Sequence, residues 1–229
     1  SGSGHAGFRL HYPINTSDYA DEFAVFLGAS YFRLVGQHQA YGLSTRGLAI
    51  NTASSQGEEF PAFREFWLVT PDNDTESVTL MALMDSPSLS GAYRFTLTPG
   101  EQTEAEVKAE IFARSDVEKV GIAPLTSMFT YGEASAQRPD DFRPQVHDSD
   151  GLLMHTGSGE WIWRPLSNPT AVRVSSFADD APQGFGLIQR ERDFDRYLDL
   201  EANYHRRPSQ WVEPLEAWGQ GRVELVEIP

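Results

Sequence analysis

The sequence predicts an all-β protein: a large antiparallel β-sandwich with a few short helices. Three observations lead there. Apolar residues recur at every second position along most of the chain, turns containing proline or glycine interrupt these runs at short intervals, and a helical period is confined to two segments. Many short strands punctuated in this way favour a sandwich or barrel over βαβ units.

The elements follow in chain order. "SDYADEFAVFLG", residues 17–28, reads as a short helix with Ser17 or Asp18 as N-cap and Gly28 as its stop. "SVTLMALM" and "AYRFTLT" read as strands, the second with Tyr93, Phe95 and Leu97 facing one way. "TEAEVKAEIFAR" is rich in helix formers, yet Ala105, Val107, Ala109 and Ile111 alternate with Glu104, Glu106, Lys108 and Glu110. That is one buried and one wet face, and the segment is predicted as a strand over 104–113. Turns are expected at "PDND", "DSPS", "TPGE" and "DDAPQG", and a further strand at "AVRVSSF". "RDFDRYLDLEANYHRR", with Phe194, Tyr197 and Leu198 at helical spacing, is the second expected helix. There is no internal repeat. Residues 1–7 read as a linker or vector remnant and residues 8–229 as one domain.

Composition excludes several function classes. The chain has 229 residues and no cysteine, so thiol catalysis, thiolate metal sites and disulfides are absent. A formal charge of −15, from 33 acidic and 18 basic residues, repels phosphate backbones and anionic lipid, which argues against nucleic acid as a partner. No apolar run approaches the roughly 20 residues of a membrane-spanning helix, so the chain is not expected to be membrane-embedded.

The densest chemistry lies in "FRPQVHDSDGLLM", where His147, Asp148 and Asp150 fall within four residues. A calcium loop would need its glycine at position six and a glutamate at position twelve; here Gly151 comes fourth and Gly159 twelfth. A zinc site on His147 and His155 lacks a third ligand at a recognisable spacing. No metal and no cofactor are expected. Two readings stay open: a hairpin whose aspartates cap their own backbone, and a catalytic carboxylate. Arg143 lies just before, and "GEWIWRPL" places Trp161 and Trp163 on one strand face with Glu160, Ile162 and Arg164 on the other. Paired tryptophans are usually core, but indole also stacks on the C–H face of a sugar ring while carboxylate and guanidinium meet its hydroxyls.

"FLGASYFRLVGQHQAYGLSTRGLAINTA", "GEEFPAFREFW", "GIAPLTSMF", "FRPQVHDSDGL", "GEWIWRPLSNP", "PQGFGLIQRERDF", "RRPSQWVEP" and "WGQGRVELVEIP" follow one another in order. Together they resemble consecutive blocks of the periplasmic glucan biosynthesis family, the OpgG and OpgD proteins. The resemblance covers essentially Phe8 to Pro229. It implies an exported, periplasmic protein of Gram-negative bacteria acting on osmoregulated glucans with a β-1,2-linked glucose backbone, and a galactose-mutarotase-like sandwich. It further implies that this is the central part of the large family domain, without the family's C-terminal immunoglobulin-like domain. The partner implied is a β-1,2-glucan oligo- or polysaccharide; a homodimer is left open.

Some family members are β-1,2-glucanases that hydrolyse with inversion, which needs a general acid at the scissile oxygen and a base that activates water. The resemblance places Asp148 on the base side and the acid-side aspartate beyond Pro229. As base, Asp148 is expected to open to a cleft and to stay out of a buried ion pair, with Arg143 nearby. His147, Asp150, Arg143, Trp161, Trp163, Arg164, Tyr41, Arg46 and Glu58 fall in blocks that could line a glucan cleft. For Arg46 and Glu58 the competing expectation is a salt bridge across adjacent strands. Asn51 stands where many relatives are expected to carry aspartate. The alternative to hydrolysis is a glucan-binding or biosynthetic accessory protein with no turnover.

Overall fold

The computed structural model describes residues 7–72, 75–135 and 138–229. Residues 1–6 of the expected linker, and Asn73 and Asp74 of the "PDND" turn, lie outside these. Gly7 is the first residue of a strand and so is not part of a linker. The regular structure of the described residues is nearly all strand, and two single-turn 3-10 helices are the helical elements among them. The chain divides into two compact units, Ser1–Gln39 with Ser44–Pro124, and Ala40–Leu43 with Leu125–Pro229.

The first unit contains β1 (Gly7–Thr16), β2 (Tyr19–Leu27), β3 (Tyr31–Leu34), β4 (Ser44–Arg46), β5 (Leu48–Ile50), β6 (Ala62–Val69), β7 (Val78–Asp85), β8 (Leu89–Thr98), β9 (Glu104–Ala113) and β10 (Val120–Ile122). β1 to β4 pair in succession, as do β6 to β9, all antiparallel. The expected alternation holds in β8, where Tyr93, Phe95 and Leu97 are 4%, 0% and 0% exposed. Phe95 carries the contact between the two sheets. Its ring lies 5.3 Å from Phe26, 5.4 Å from Phe32 and 5.8 Å from Phe63, at the steep angles aromatic edges and faces prefer.

Three expectations change here. Residues 17–28 are not a helix: Ser17 and Asp18 make a two-residue hairpin turn, and Tyr19–Leu27 is a strand between β1 and β3. The helical look arose because Phe23 to Phe26 are all buried, so a central strand covered on both faces loses its period of two. Gly28, at φ 77°, ends that strand in a turn rather than a helix. Residues 104–113 do form the predicted strand, but at the edge of its sheet, and its apolar side is not buried: Val107 and Ile111 are 39% and 38% exposed. Asn51 occupies the left-handed region at φ 57°, and its Oδ1 accepts from the Lys119 amide at 3.2 Å. Asparagine tolerates that conformation better than most residues, so this position is a turn device.

The second unit contains β11 (Leu125–Thr126), β12 (Phe129–Tyr131), β13 (Val146–His147), β14 (Gly151–His155), β15 (Trp161–Pro165), β16 (Arg173–Asp180), β17 (Gly184–Ile188), β18 (Gln210–Val212) and β19 (Gln220–Glu227). One four-stranded sheet runs β15-β14-β17-β18, and β16 pairs with β19 in a ribbon. Leu152, Met154, Ile162, Phe185 and Leu187 form the sheet's inner face and pack with Phe177, Val223 and Leu225 of the ribbon. The alternate residues, including Trp161, Trp163 and Trp211, therefore lie on the other face.

The second expected helix, 192–207, is broken into two 3-10 turns, Phe194–Arg196 and Tyr204–Arg206. Short polar side chains compete for the backbone there. Asp193 accepts from the Asp195 amide, Asp199 from those of Glu201 and Ala202, and the Asn203 amide group donates to the carbonyls of Leu200 and Glu201.

Candidate functional site

"HDSDG" is a pinned crossover between β13 and β14, and not a solvated hairpin. The Asp148 amide donates to the Met128 carbonyl at 2.8 Å, the Asp150 amide to that of Ile188 at 2.8 Å, and the Asp150 carbonyl accepts from the Leu166 amide at 2.9 Å. Between them Ser149 is fully buried, its hydroxyl 2.6 Å from that of Ser127. Backbone held from several strands fixes the side chains it carries.

His147 sits at the base of this crossover with no exposed surface. Its ring stacks on Phe129 and meets the edge of Tyr197, both with centroids 5.4 Å away. The Gln189 amide nitrogen donates to the carbonyls of His147 and Tyr204, both at 3.2 Å, which turns its oxygen toward the imidazole. Nδ1 of His147 therefore donates to Gln189 Oε1 at 2.9 Å, while Nε2 lies 3.1 Å from Gln145 Oε1 and 3.8 Å from Asp150 Oδ1. Burial pushes the imidazole below its ordinary value, although Asp150 and the Gln189 hydrogen bond oppose this and Arg190 adds to it.

That direction has a consequence for stability. With the folded-state value below the unfolded one, the unfolded chain takes up the proton first. Stability is full above the ordinary histidine value of about 6.5 and falls as pH drops below it. The urea midpoint should decline between about pH 7 and pH 5, and His147→Gln should flatten that decline. A slope unchanged by the substitution would assign it to other groups.

The two aspartates have different surroundings. Asp148 is 7% exposed and pairs with Arg207, Oδ1 to Nη1 at 3.4 Å. This differs from the carboxylate open to a cleft and free of a buried ion pair that a base was expected to be. Arg207 is itself anchored: it donates to the Ala202 carbonyl through Nε at 2.9 Å and Nη2 at 2.7 Å, and to the Tyr41 carbonyl. Asp150 accepts from the Arg190 amide at 2.7 Å, and the Arg190 guanidinium lies 3.6 Å from its other oxygen. Asp150, not Asp148, lines a cleft of about 350 Å³ with Phe129, Gly132, Glu133, Trp163 and Arg190. Arg190 lies 5.3 Å over the Trp163 ring. Gly151 makes room for that indole, because a Cβ there would come within 2.4 Å of Trp163 Cζ2 and 2.7 Å of the Arg164 carbonyl.

The other expected residues divide clearly. Trp161, 57% exposed, shares Trp163's face of β15, whereas Arg164 projects to the opposite face. Tyr41 enters through its backbone carbonyl on Arg207. Arg143 does not stand beside the aspartates of "HDSDG" as a counter-charge: Asp141 holds it at 2.6 Å and Asp199 at 2.9 Å. Those hydrogen bonds push the Asp141 carboxyl down to about 2, with the Arg143 guanidinium first among the causes. Arg46 and Glu58 belong to the first unit and form the salt bridge that competed with a sugar role, at 2.5 Å, with Arg46 also 5.6 Å over the rings of Tyr31 and Phe60. Among the described residues no group of His, Asp and Glu is arranged to hold a metal ion, and no helix is long and apolar enough to cross a membrane.

Sequence reasoning missed Gln145, Gln189, Arg190 and Arg207. All four stand in blocks already singled out. Nothing in their spacing marks them, because each meets "HDSDG" through tertiary contacts.

Over residues 1–229 the chain matches the family described as periplasmic glucan biosynthesis protein, MdoG. It is 58% identical over 226 residues to glucans biosynthesis protein G of Vibrio cholerae serotype O1, covering 99% of this chain and 42% of the relative. The protein of the same name from Shewanella frigidimarina is 58% identical, with 99% and 40% covered. That from Ralstonia nicotianae is also 58% identical, with 99% and 45% covered. The chain thus spans about two fifths of the length of the curated relatives it matches.

Proposed function

Because the chain belongs to the periplasmic glucan biosynthesis protein family, MdoG, we propose that it is a periplasmic glucan-handling segment that holds a neutral β-1,2-linked glucan in the cleft beside Asp150. One observation carries this reading: Asp150, Glu133, Arg190 and the Trp163 indole converge on one cleft. Carboxylates and a guanidinium supply acceptors and donors for hydroxyls, and the indole supplies an apolar face for a sugar ring. The charge of −15 favours an uncharged ligand over a polyanion. Both compact units are read as parts of one glucan-handling domain.

Titration calorimetry with linear β-1,2-glucan tests the reading. Asp150→Asn should weaken binding about tenfold, the loss expected when a charged acceptor becomes neutral. Heparin and DNA should give no heat. Binding of either polyanion, or a glucan affinity indifferent to Asp150→Asn, would count against the cleft.

A second reading, inverting hydrolysis with Asp148 on the base side, is supported by the pinned backbone of Asp148, two residues from the cleft carboxylate. Its burial against Arg207 speaks for a binding role instead. Release of new reducing ends separates the two.

A further inference from the structure

The outward face of the β15-β14-β17-β18 sheet carries a second feature apart from the cleft. Trp161 of β15 lies over His155 of β14, with ring centroids 4.2 Å apart and planes 5° from parallel, and meets Trp211 of β18 at 5.7 Å and 28°. Trp161 keeps 57% of its surface exposed in spite of both neighbours. Leaving so much indole in water is unfavourable, and the same strand shows the alternative, since Ile162 turns into the core.

The strand between the rings is shaped to receive them. β17 contributes Gly184 and Gly186 to this face. A Cβ at Gly184 would stand 2.5 Å from Trp211 Cζ2, and one at Gly186 would stand 2.8 Å from Trp211 Cε3. Any side chain at either position would lift the indole off the sheet, so the glycine floor lets it lie against the backbone. The edge of the ring is tied down as well, its Nε1 donating to Glu213 Oε1 at 2.8 Å. The strip continues toward the cleft, because Trp163 follows Trp161 on the same strand face about 7 Å along.

We propose that Trp161, His155 and Trp211 form a second carbohydrate-stacking surface, over which a glucan chain leaving the Asp150 cleft lays further sugar rings. The proposal rests on the glucan reading of that cleft. The occupant is a sugar chain and not a protein, because the surface is floored by glycine, edged by Glu213, and continuous with a cleft lined by hydroxyl-binding groups. Stacking on these rings needs no cofactor and adds no reacting group.

Calorimetry with two probes tests this: a β-1,2-linked glucotriose, short enough for the cleft, and a longer linear β-1,2-glucan. Trp161→Ala and Trp211→Ala should each weaken the longer glucan about tenfold and leave the trisaccharide unchanged, while Trp161→Phe recovers most of the loss. Asp150→Asn should weaken both probes. Undiminished binding of the longer glucan by both tryptophan variants, with Asp150→Asn still impaired, overturns the stacking surface and leaves the cleft standing. Failure of the unsubstituted chain to bind either probe overturns the cleft reading itself. Self-association in sedimentation that Trp161→Ala abolishes, with glucan affinity unchanged, makes this face a protein interface and overturns the proposal. Oxidation of Trp161 by N-bromosuccinimide, mapped by peptide mass, reads the contact without a variant. Saturating glucan should protect Trp161, and lack of protection is equally decisive against the surface.

Discussion

If the second reading proposed above holds, inverting hydrolysis with Asp148 as base, then in a complete protein carrying this segment Asp148→Asn should lower the release of reducing ends from linear β-1,2-glucan by about 10²- to 10⁴-fold while changing glucan affinity little. The substitution preserves shape and one acceptor oxygen and removes basicity. Arg207 keeps the carbonyls of Ala202 and Tyr41 when Asp148 loses its charge. The pair is buried, with the Arg207 and Asp148 side chains 19% and 9% exposed, so leaving the guanidinium without its carboxylate costs stability, and thermal unfolding of the variant shows whether it stays folded in the assay. Asp150→Asn in the same assay decides between the two carboxylates. Asp150 lines the cleft and Asp148 does not. If Asp150→Asn abolishes turnover while Asp148→Asn is fully active, the base is the cleft carboxylate and Asp148 is a structural anchor for Arg207. If neither variant loses activity, "HDSDG" has no part in the chemistry.

The largest effect on stability is expected at Phe95. Phe95→Ala should lower the free energy of unfolding by about 3–5 kcal/mol, the range for removing a fully buried aromatic ring. The residue is 0% exposed and touches the rings of Phe26, Phe32, Phe63 and Tyr93. No single neighbour can fill the space it would leave, since these rings come from both sheets of the first unit. Against a typical total of about 5–15 kcal/mol, such a loss approaches global unfolding. Met81, 45% exposed on the outward face of β7, is the control; Met81→Ala should stay within about 0.5 kcal/mol. Urea unfolding checks both, and equal losses at the two positions would mean that the buried face has been assigned wrongly.

The sequence alone determined strands such as β7, β8, β9 and β16, because alternation is a local property that a strand imposes on its own side chains. Tyr93, Phe95 and Leu97 were legible as one buried face for that reason. Local patterns misled where burial did not follow a single face. Phe23 to Phe26 of β2 are covered on both sides and their segment reads as a helix, while residues 104–113 form a strand at a sheet edge whose apolar side stays open. His147, Asp148 and Asp150 were identifiable as a cluster, since density of chemistry is also local. Which groups they meet was decided only by the tertiary structure. Arg207 takes Asp148, Arg190 takes Asp150 and Gln189 holds the His147 ring, all from segments brought beside "HDSDG" by the pairing of β14 with β17 and by the 3-10 turns that follow. The same pairing turned Trp161 and Trp163 away from the core, because a strand's period separates its two faces but only the packing of Leu152, Met154 and Ile162 against the ribbon decides which one is buried.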